Sequence, residues 1–266
     1  MDLSIVILNY NSRGLVKNCI KSILESAINR EYEIIVVDNN SRENIEQMLK
    51  ENFPRVKLIC HQKNIGFGSG TNVGIREAVG QHVLVINPDI FVLPNAIAQL
   101  VDYAETNKGV GLVGPRLLNP DRTLQKNCYR WHRVWTPIFR RTFLEFLPLA
   151  KRELARFLMD DWDHASTREV DWIQGSCLLI PKKVLDTVGL FDERFFMYFE
   201  DTDLCRRIKR AGLKNVYLAD AEVIHLHRRQ SADGGLLRSL FNRLTWIHGV
   251  SWLKYMYKWR GEETGL

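Results

Sequence analysis

Along the first 115 residues, short apolar runs rich in β-branched side chains alternate with longer stretches whose apolar positions recur every three or four residues. The short runs cover residues 3–8, 33–37, 56–60, 82–86 and 110–113, a length suited to buried strands rather than helices. Between the first two runs, Leu15, Val16, Cys19, Ile20, Ile23, Leu24 and Ala27 fall on one face at a period near 3.6. Similar stretches follow at residues 45–49, 71–79 and 95–106. Strands and helices that alternate in this way require right-handed crossovers and predict an α/β fold with a largely parallel sheet. The strand runs are nearly all apolar, as strands covered on both faces should be. Ligands of such sheets bind beyond the carboxyl ends of the strands. That rule directs attention to Asn9-Tyr10-Asn11, Asp38-Asn39-Asn40 and Asn87-Pro88-Asp89.

The alternation lapses between residues 119 and 170, which hold Trp131, His132, Arg133, Trp135 and an amphipathic run over 139–159. This stretch is expected to be an insertion over the active-site edge of one domain, residues 1–235, rather than a second domain. Regular structure resumes at Asp171 and continues in strand-like runs at 215–218 and 222–226. Residues 236–258 predict a helix rich in Trp, Tyr and Lys, within a tail spanning 236–266.

Composition narrows the class. Hydrophobic residues at 45% and charged residues at 26% of 266 are ordinary for a globular chain, and exclude disordered and collagen-like classes. The net charge of +6 suits an anionic partner: phosphorylated small molecules, a membrane surface or nucleic acid. Five scattered cysteines with no C-x-x-C pair argue against a disulfide framework or a zinc site, and for a reducing cytoplasm. Met1-Asp2-Leu3-Ser4 has no basic character, and no apolar run approaches the roughly 20 residues that cross a bilayer. A cytoplasmic protein is expected.

Candidate chemistry clusters after the strand runs. A carboxylate at Asp38 can accept hydrogen bonds from a nucleobase or ribose, while Asn40 or Ser41 can cap the next helix. The glycines of Asn64-Ile65-Gly66-Phe67-Gly68-Ser69-Gly70-Thr71-Asn72 allow close backbone approach, and the helix start that follows favours an anion. Gly66-x-Gly68 matches half of a dinucleotide fingerprint, with Asp89 about 20 residues on. Thr71 nevertheless stands where its third glycine or alanine belongs, and the segment follows the third strand rather than the first. Asp89 is either a turn residue or one of the carboxylates that hold a hard cation together with substrate phosphates. Glu200-Asp201-Thr202-Asp203 opens a helix directly after Phe195, Phe196, Met197, Tyr198 and Phe199. Acids there complement the helix dipole. Against apolar rings, a carboxylate also has the raised pKa that a general base needs near neutrality. One of the three acids is expected to serve catalysis and another capping. His225 and His227 share a strand face and are either metal ligands or a solvent-facing pair.

Taken in order, Ile5-Val6-Ile7-Leu8-Asn9-Tyr10-Asn11, Val36-Val37-Asp38-Asn39-Asn40-Ser41, Asn64-x-Gly66-Phe67-Gly68, Asn87-Pro88-Asp89, Trp172-x-x-Gly175-Ser176, Glu200-Asp201-x-Asp203-Leu204-Cys205 and Val223-x-His225 resemble family 2 glycosyltransferases of the GT-A fold, in particular their rhamnosyltransferase-like branch. The resemblance implies a Rossmann-like central sheet flanked by helices, and roles for the matching positions. Asn9, Tyr10 and Asp38 would line a base and ribose pocket, with Asn64, Gly68 and Asn87 on the same donor side. Asp89 would hold Mg²⁺ or Mn²⁺ on the donor diphosphate, with His225 as a further ligand; His227 receives no role. Asp201 would deprotonate the acceptor hydroxyl, and Trp172, Gly175, Ser176 and Glu200 would shape the acceptor side. The family's metal motif often carries an acid where Asn87 stands, so the ion is expected to arrive with the donor.

The expected function is therefore inverting sugar transfer from a nucleotide diphosphate donor to a glycan or polyprenyl-linked acceptor in surface-polysaccharide (O-antigen-type) synthesis. Rhamnose from a dTDP donor is favoured by subfamily likeness alone, and no residue separates dTDP from UDP. The tail helix either lies on the inner face of an anionic membrane or packs its rings on the domain. Two rival expectations are an NAD-dependent oxidoreductase, from the partial fingerprint, and a non-enzymatic binder of nucleic acid or membrane, from the charge. No nucleic-acid partner is expected under the transferase reading.

Overall fold

The computed structural model describes residues 1–140, 142–226 and 242–261, apart from the side chain of Phe143. His227 and residues 236–241 of the expected tail helix lie outside the described residues.

The predicted alternation is realised as β1 (Leu3–Asn9), α1 (Arg13–Glu25), β2 (Tyr32–Asp38), α2 (Ile45–Asn52), β3 (Lys57–Cys60), α3 (Phe67–Glu77) and β4 (His82–Ile86). β1 lies between β2 and β4, parallel to both, with Asn9 opposite Asp38 and Ile7 opposite Ile86. Its apolar run serves two layers: Ile5 and Ile7 join the core under α1, whereas Val6 joins the core under α3. The glycines of α3 make its layer close-fitting. A Cβ added at Gly70 would stand 2.6 Å from Leu8 Cδ1, and one at Gly74 would stand 2.5 Å from Val6 Cγ1.

Next come β5 (Ile90–Val92), α4 (Ala96–Thr106) and β6 (Val110–Leu118). The segment in which alternation lapses carries β7 (Leu124–Gln125), β8 (Cys128–Tyr129), α5 (Thr136–Phe139), a 3₁₀ turn (Phe143–Phe146), α6 (Pro148–Phe157) and β9 (Arg168–Val170). The remainder is β10 (Trp172–Ile173), β11 (Cys177–Pro181), α7 (Lys182–Val188), α8 (Glu200–Arg210), β12 (Lys214–His225) and α9 (Arg243–Lys258).

The central sheet runs β3-β2-β1-β4-β11-β6-β12-β5, with β7 added to β6 and β9 to β12. β11 enters between β4 and β6 against the direction of both, and β5 pairs antiparallel with β12. The sheet is thus mostly parallel, with reversed strands whose direction leaves no mark in the hydrophobic pattern. The two runs read at 215–218 and 222–226 belong to one strand, interrupted by a bulge between Leu218 and Glu222.

α9 packs its rings on the domain. Tyr255 and Trp259 are buried, Arg206 of α8 donates to Tyr255 Oη at 3.0 Å, and Ser251 Oγ donates to the Met197 carbonyl at 2.9 Å. The opposite face exposes Trp246, Val250, Leu253 and Tyr257 in a helical stripe.

Candidate active site

At the carboxyl ends of β1 and β2, Asn9 and Asp38 meet side by side. Asn9 Nδ2 donates to Asp38 Oδ1 at 2.7 Å and to Ser41 Oγ at 2.9 Å, while the Ser41 amide donates to Asp38 Oδ2 at 3.1 Å. These bonds orient the carboxylate and leave lone pairs on both oxygens. Tyr10, immediately beyond, is half exposed.

Asn64 braces this corner. Its Oδ1 accepts from the Gly66 amide at 2.9 Å and from Asn39 Nδ2 at 3.0 Å. Gly66, at φ 92°, is a position only glycine tolerates, because a Cβ would stand 2.2 Å from the Phe196 carbonyl oxygen. That same carbonyl accepts from the Phe67 amide at 2.7 Å. The Phe67 amide, the first of α3, and the Ile65 and Gly66 amides before it therefore face protein groups. Gly68 lies beside the acids, where a Cβ would come within 3.5 Å of Glu200 Cβ.

At the end of β4, the Asn87 amide donates to the Ser176 carbonyl at 2.8 Å. Asp89 follows in the turn to β5, and the β5–β12 register sets Ile90 opposite His225. Asp89 Oδ2 consequently lies 3.3 Å from His225 Nε2, while His225 Nδ1 lies 2.5 Å from Gln125 Oε1 on β7. Among the described residues no third His, Cys, Asp or Glu joins this pair. One carboxylate and one imidazole fit a divalent cation that completes its shell with substrate phosphates and water, and do not form an all-protein cage.

The three acids of α8 have separate fates. Tyr198 and Phe199 are both left-handed, at φ 70° and 68°, a conformation that costs non-glycine residues energy and here aims the helix start. Asp201 Oδ2 accepts from the Gly175 amide at 2.9 Å, and its Oδ1 accepts from the Thr202 amide at 2.7 Å. Burial raises the Asp201 pKa against these bonds, which favour the anion. Glu200 is pushed well above the ordinary carboxylate range, by burial first and then by the neighbouring Asp201 charge; its Oε2 is buried with no hydrogen-bond partner. The two backbone amides favour the charge on Asp201, whereas the unpartnered oxygen of Glu200 has nothing to stabilise an anion. Asp203, fully buried, is a structural anchor: it accepts from Trp259 Nε1 at 2.9 Å, Arg207 Nε at 2.9 Å and Lys258 Nζ at 2.6 Å.

Gly175 and Ser176 lie between the two halves of the site. The Ser176 carbonyl holds Asn87, the Gly175 amide holds Asp201, and the buried Ser176 Oγ has no partner. Trp172 supports this segment from within. Its indole N–H donates to the Arg130 carbonyl at 3.0 Å, and its ring packs on Tyr129 and His132.

The topology thus brings Asn9, Asp38, Asn64, Gly68, Asn87, Asp89, Gly175, Ser176, Glu200, Asp201 and His225 to one edge of the sheet, with Trp172 behind it. Sequence reasoning missed Gln125 and the contact of Trp259 with Asp203. Neither had a local signal, because Gln125 is 100 residues from His225 and Trp259 is 56 from Asp203.

Residues 2–247 match the family described as "Glycosyltransferase like family 2". An N-acetylglucosaminyl-diphospho-decaprenol L-rhamnosyltransferase of Mycobacterium tuberculosis is 30% identical over 78% of this chain and 70% of its own length. The rhamnosyltransferase WbbL of Escherichia coli is 24% identical over 96% of this chain and 93% of its own length. Among solved structures, GalNAc-T7 with UDP, GalNAc and Mn²⁺ superposes with a TM-score of 0.70 at 17% identity, covering 98% of this chain and 48% of its own. A mannosyltransferase from Pyrobaculum calidifontis with GDP-Man and Mn²⁺ gives 0.60 at 16% identity, covering 86% of this chain and 58% of its own. The chain spans about half to three fifths of the length of these two structures. These matches overturn the oxidoreductase and non-enzymatic alternatives.

Proposed function

This chain belongs to glycosyltransferase family 2 and is a glycosyltransferase, and from that premise we propose that it transfers a sugar, with inversion, from a nucleotide diphosphate to a lipid-linked glycan acceptor. The observation that carries the mechanism is the division of labour between Glu200 and Asp201. Both acids are buried with raised pKa values, and the amides of Gly175 and Thr202 favour the anion on Asp201, which makes it the stronger candidate for the base. Asp201, held by Gly175 and Thr202, accepts the proton of the acceptor hydroxyl as its oxygen attacks the anomeric carbon and the bond to the diphosphate breaks. Protonated Glu200 can donate a hydrogen bond to a sugar hydroxyl. Asn9, Tyr10 and Asp38 take the nucleoside, with Asn64, Gly68 and Asn87 bracing that side, and Trp172, Gly175 and Ser176 back the acceptor. Asp89 and His225 would hold Mg²⁺ or Mn²⁺ against the donor phosphates, where the cation supplies charge neutralisation for the departing diphosphate.

The relatives' names favour rhamnose as the sugar and a polyprenyl diphosphate acceptor, while dTDP as the nucleotide rests on the subfamily resemblance. An acceptor of that kind resides in a bilayer, and no described helix is long and apolar enough to cross one. The exposed stripe of Trp246, Val250, Leu253 and Tyr257, flanked by Arg243, Lys254 and Arg260, suits the surface of an anionic membrane.

Substitution separates these roles. Asp201→Asn is expected to lower transfer by about 10²- to 10⁴-fold while retaining the thermal shift given by dTDP or UDP with Mn²⁺. Asp89→Ala is expected to remove that shift. Unchanged turnover in Asp201→Asn would exclude it as the base.

A further inference from the structure

A chain of side-chain hydrogen bonds leads to His225, and its direction is set at the far end. Thr123 Oγ1 donates to the Asp121 carboxylate at 2.6 Å, so it accepts from Asn119 Nδ2 at 2.9 Å. The same Asn119 nitrogen faces the Leu124 carbonyl at 3.4 Å. Carboxylates and carbonyls only accept, which fixes the Asn119 amide with its oxygen turned the other way. Asn119 Oδ1 accepts from Gln125 Nε2 at 2.8 Å, and this fixes the Gln125 amide in turn. Gln125 Oε1 is thus the atom 2.5 Å from His225 Nδ1. An amide oxygen has no proton to give, so Nδ1 must carry one. The lone pair of the neutral ring is left on Nε2, the nitrogen that faces Asp89.

We propose that Asn119 and Gln125 are positioning residues that hold His225 in the Nδ1–H tautomer, so that Nε2 and the Asp89 carboxylate act as paired donors to a divalent cation. The opposite tautomer would turn an N–H toward the cation and could not ligate it. Two strands set this geometry. Leu117 pairs with Gln125, and Leu118 pairs with Ile224, so Gln125 reaches His225 across β6. The inference rests on the reading of Asp89 and His225 as a cation site, but the tautomer can be observed without any cation.

In the full chain with ¹⁵N-labelled histidine, ring ¹⁵N correlation spectra recorded at about pH 8, above the ordinary imidazole range, should show His225 with Nδ1 protonated and Nε2 bare. His225→Asn assigns the signal. An Nε2–H ring, or a doubly protonated one, overturns the proposal. Mn²⁺ affinity in the presence of dTDP or UDP, read from the electron paramagnetic resonance of free Mn²⁺, should fall about 10- to 100-fold in Gln125→Leu, as for other groups that orient a ligand. Gln125→Glu keeps an acceptor at this position and should restore binding. Equal affinity in folded Gln125→Leu overturns the positioning role. If Asp89→Ala also leaves the affinity unchanged, the cation-site reading falls, and the tautomer spectrum alone decides the relay.

Discussion

Replacing Asp203 by asparagine removes one negative charge from a fully buried junction between α8 and α9. Arg207 and Lys258 both point their charges at this carboxylate, at 2.9 and 2.6 Å. Leaving buried charges without a counter-ion costs about 3–5 kcal/mol. The lower end applies here, for three reasons. Lys258 keeps Asp192 at 2.8 Å, Arg207 keeps the carbonyls of Val188, Gly189 and Leu190, and the asparagine oxygen can still accept from Trp259. In a chain of this size each kcal/mol lowers the midpoint by about 2–4 °C, so a loss of about 3 kcal/mol predicts a fall of about 6–12 °C. Thermal unfolding followed by circular dichroism measures it, with Asp201→Asn as the comparison on the same helical turn. Well below its midpoint, Asp203→Asn should still transfer sugar, because the bonds that hold Asp201 come from Gly175 and Thr202. A fall smaller than about 2 °C, or a folded variant without transfer, would refute the assignment of Asp203 as an anchor.

Two further outcomes follow from the same geometry. Because burial and the Asp201 charge raise the Glu200 pKa, its stabilising contribution is complete at acid pH and is lost as pH rises through the folded-state value. Glu200→Gln should therefore melt like the parent in acid and increasingly above it as pH rises; a difference that does not grow with pH would sink the assignment. For the membrane surface, Trp246→Ser combined with Tyr257→Ser should abolish co-sedimentation with anionic vesicles while transfer to a soluble acceptor survives. Unchanged vesicle binding would reject the stripe as the docking face. Deleting the tail cannot make this test, because it also removes Trp259 and Lys258 from Asp203.

The parallel half of the fold was legible because β1, β2 and β4 are covered on both faces and so read as apolar runs. β5 was not, since three residues leave too little pattern, and the reversed direction of β11, an apolar run as long as β4, leaves no mark in hydrophobicity. The positions of Asn9, Asp38 and Asp89 followed from one rule, that strand ends face the ligand. The ranking of Glu200, Asp201 and Asp203 did not. All three open the same helix, and what separates them is a glycine amide 26 residues upstream and an indole 56 residues downstream. The glycine run of α3 misled for a related reason. Gly70 and Gly74 are small because Leu8 and Val6 press against them, a demand set by another element of the chain.

The dependence of Asp203 on Trp259 also has a consequence in time. α8 is translated before its anchor, and at about 5–20 residues per second the intervening 56 residues take roughly 3–11 seconds. During that interval the nascent chain carries the acid turn without the partners that fasten it. A ribosome-bound chain ending before residue 258 should therefore hold Asp201 through Gly175 and Thr202 yet keep α8 less firmly fastened than the finished chain does. The geometry of the acid turn and its resistance to unfolding would then be acquired in sequence as the polypeptide is made.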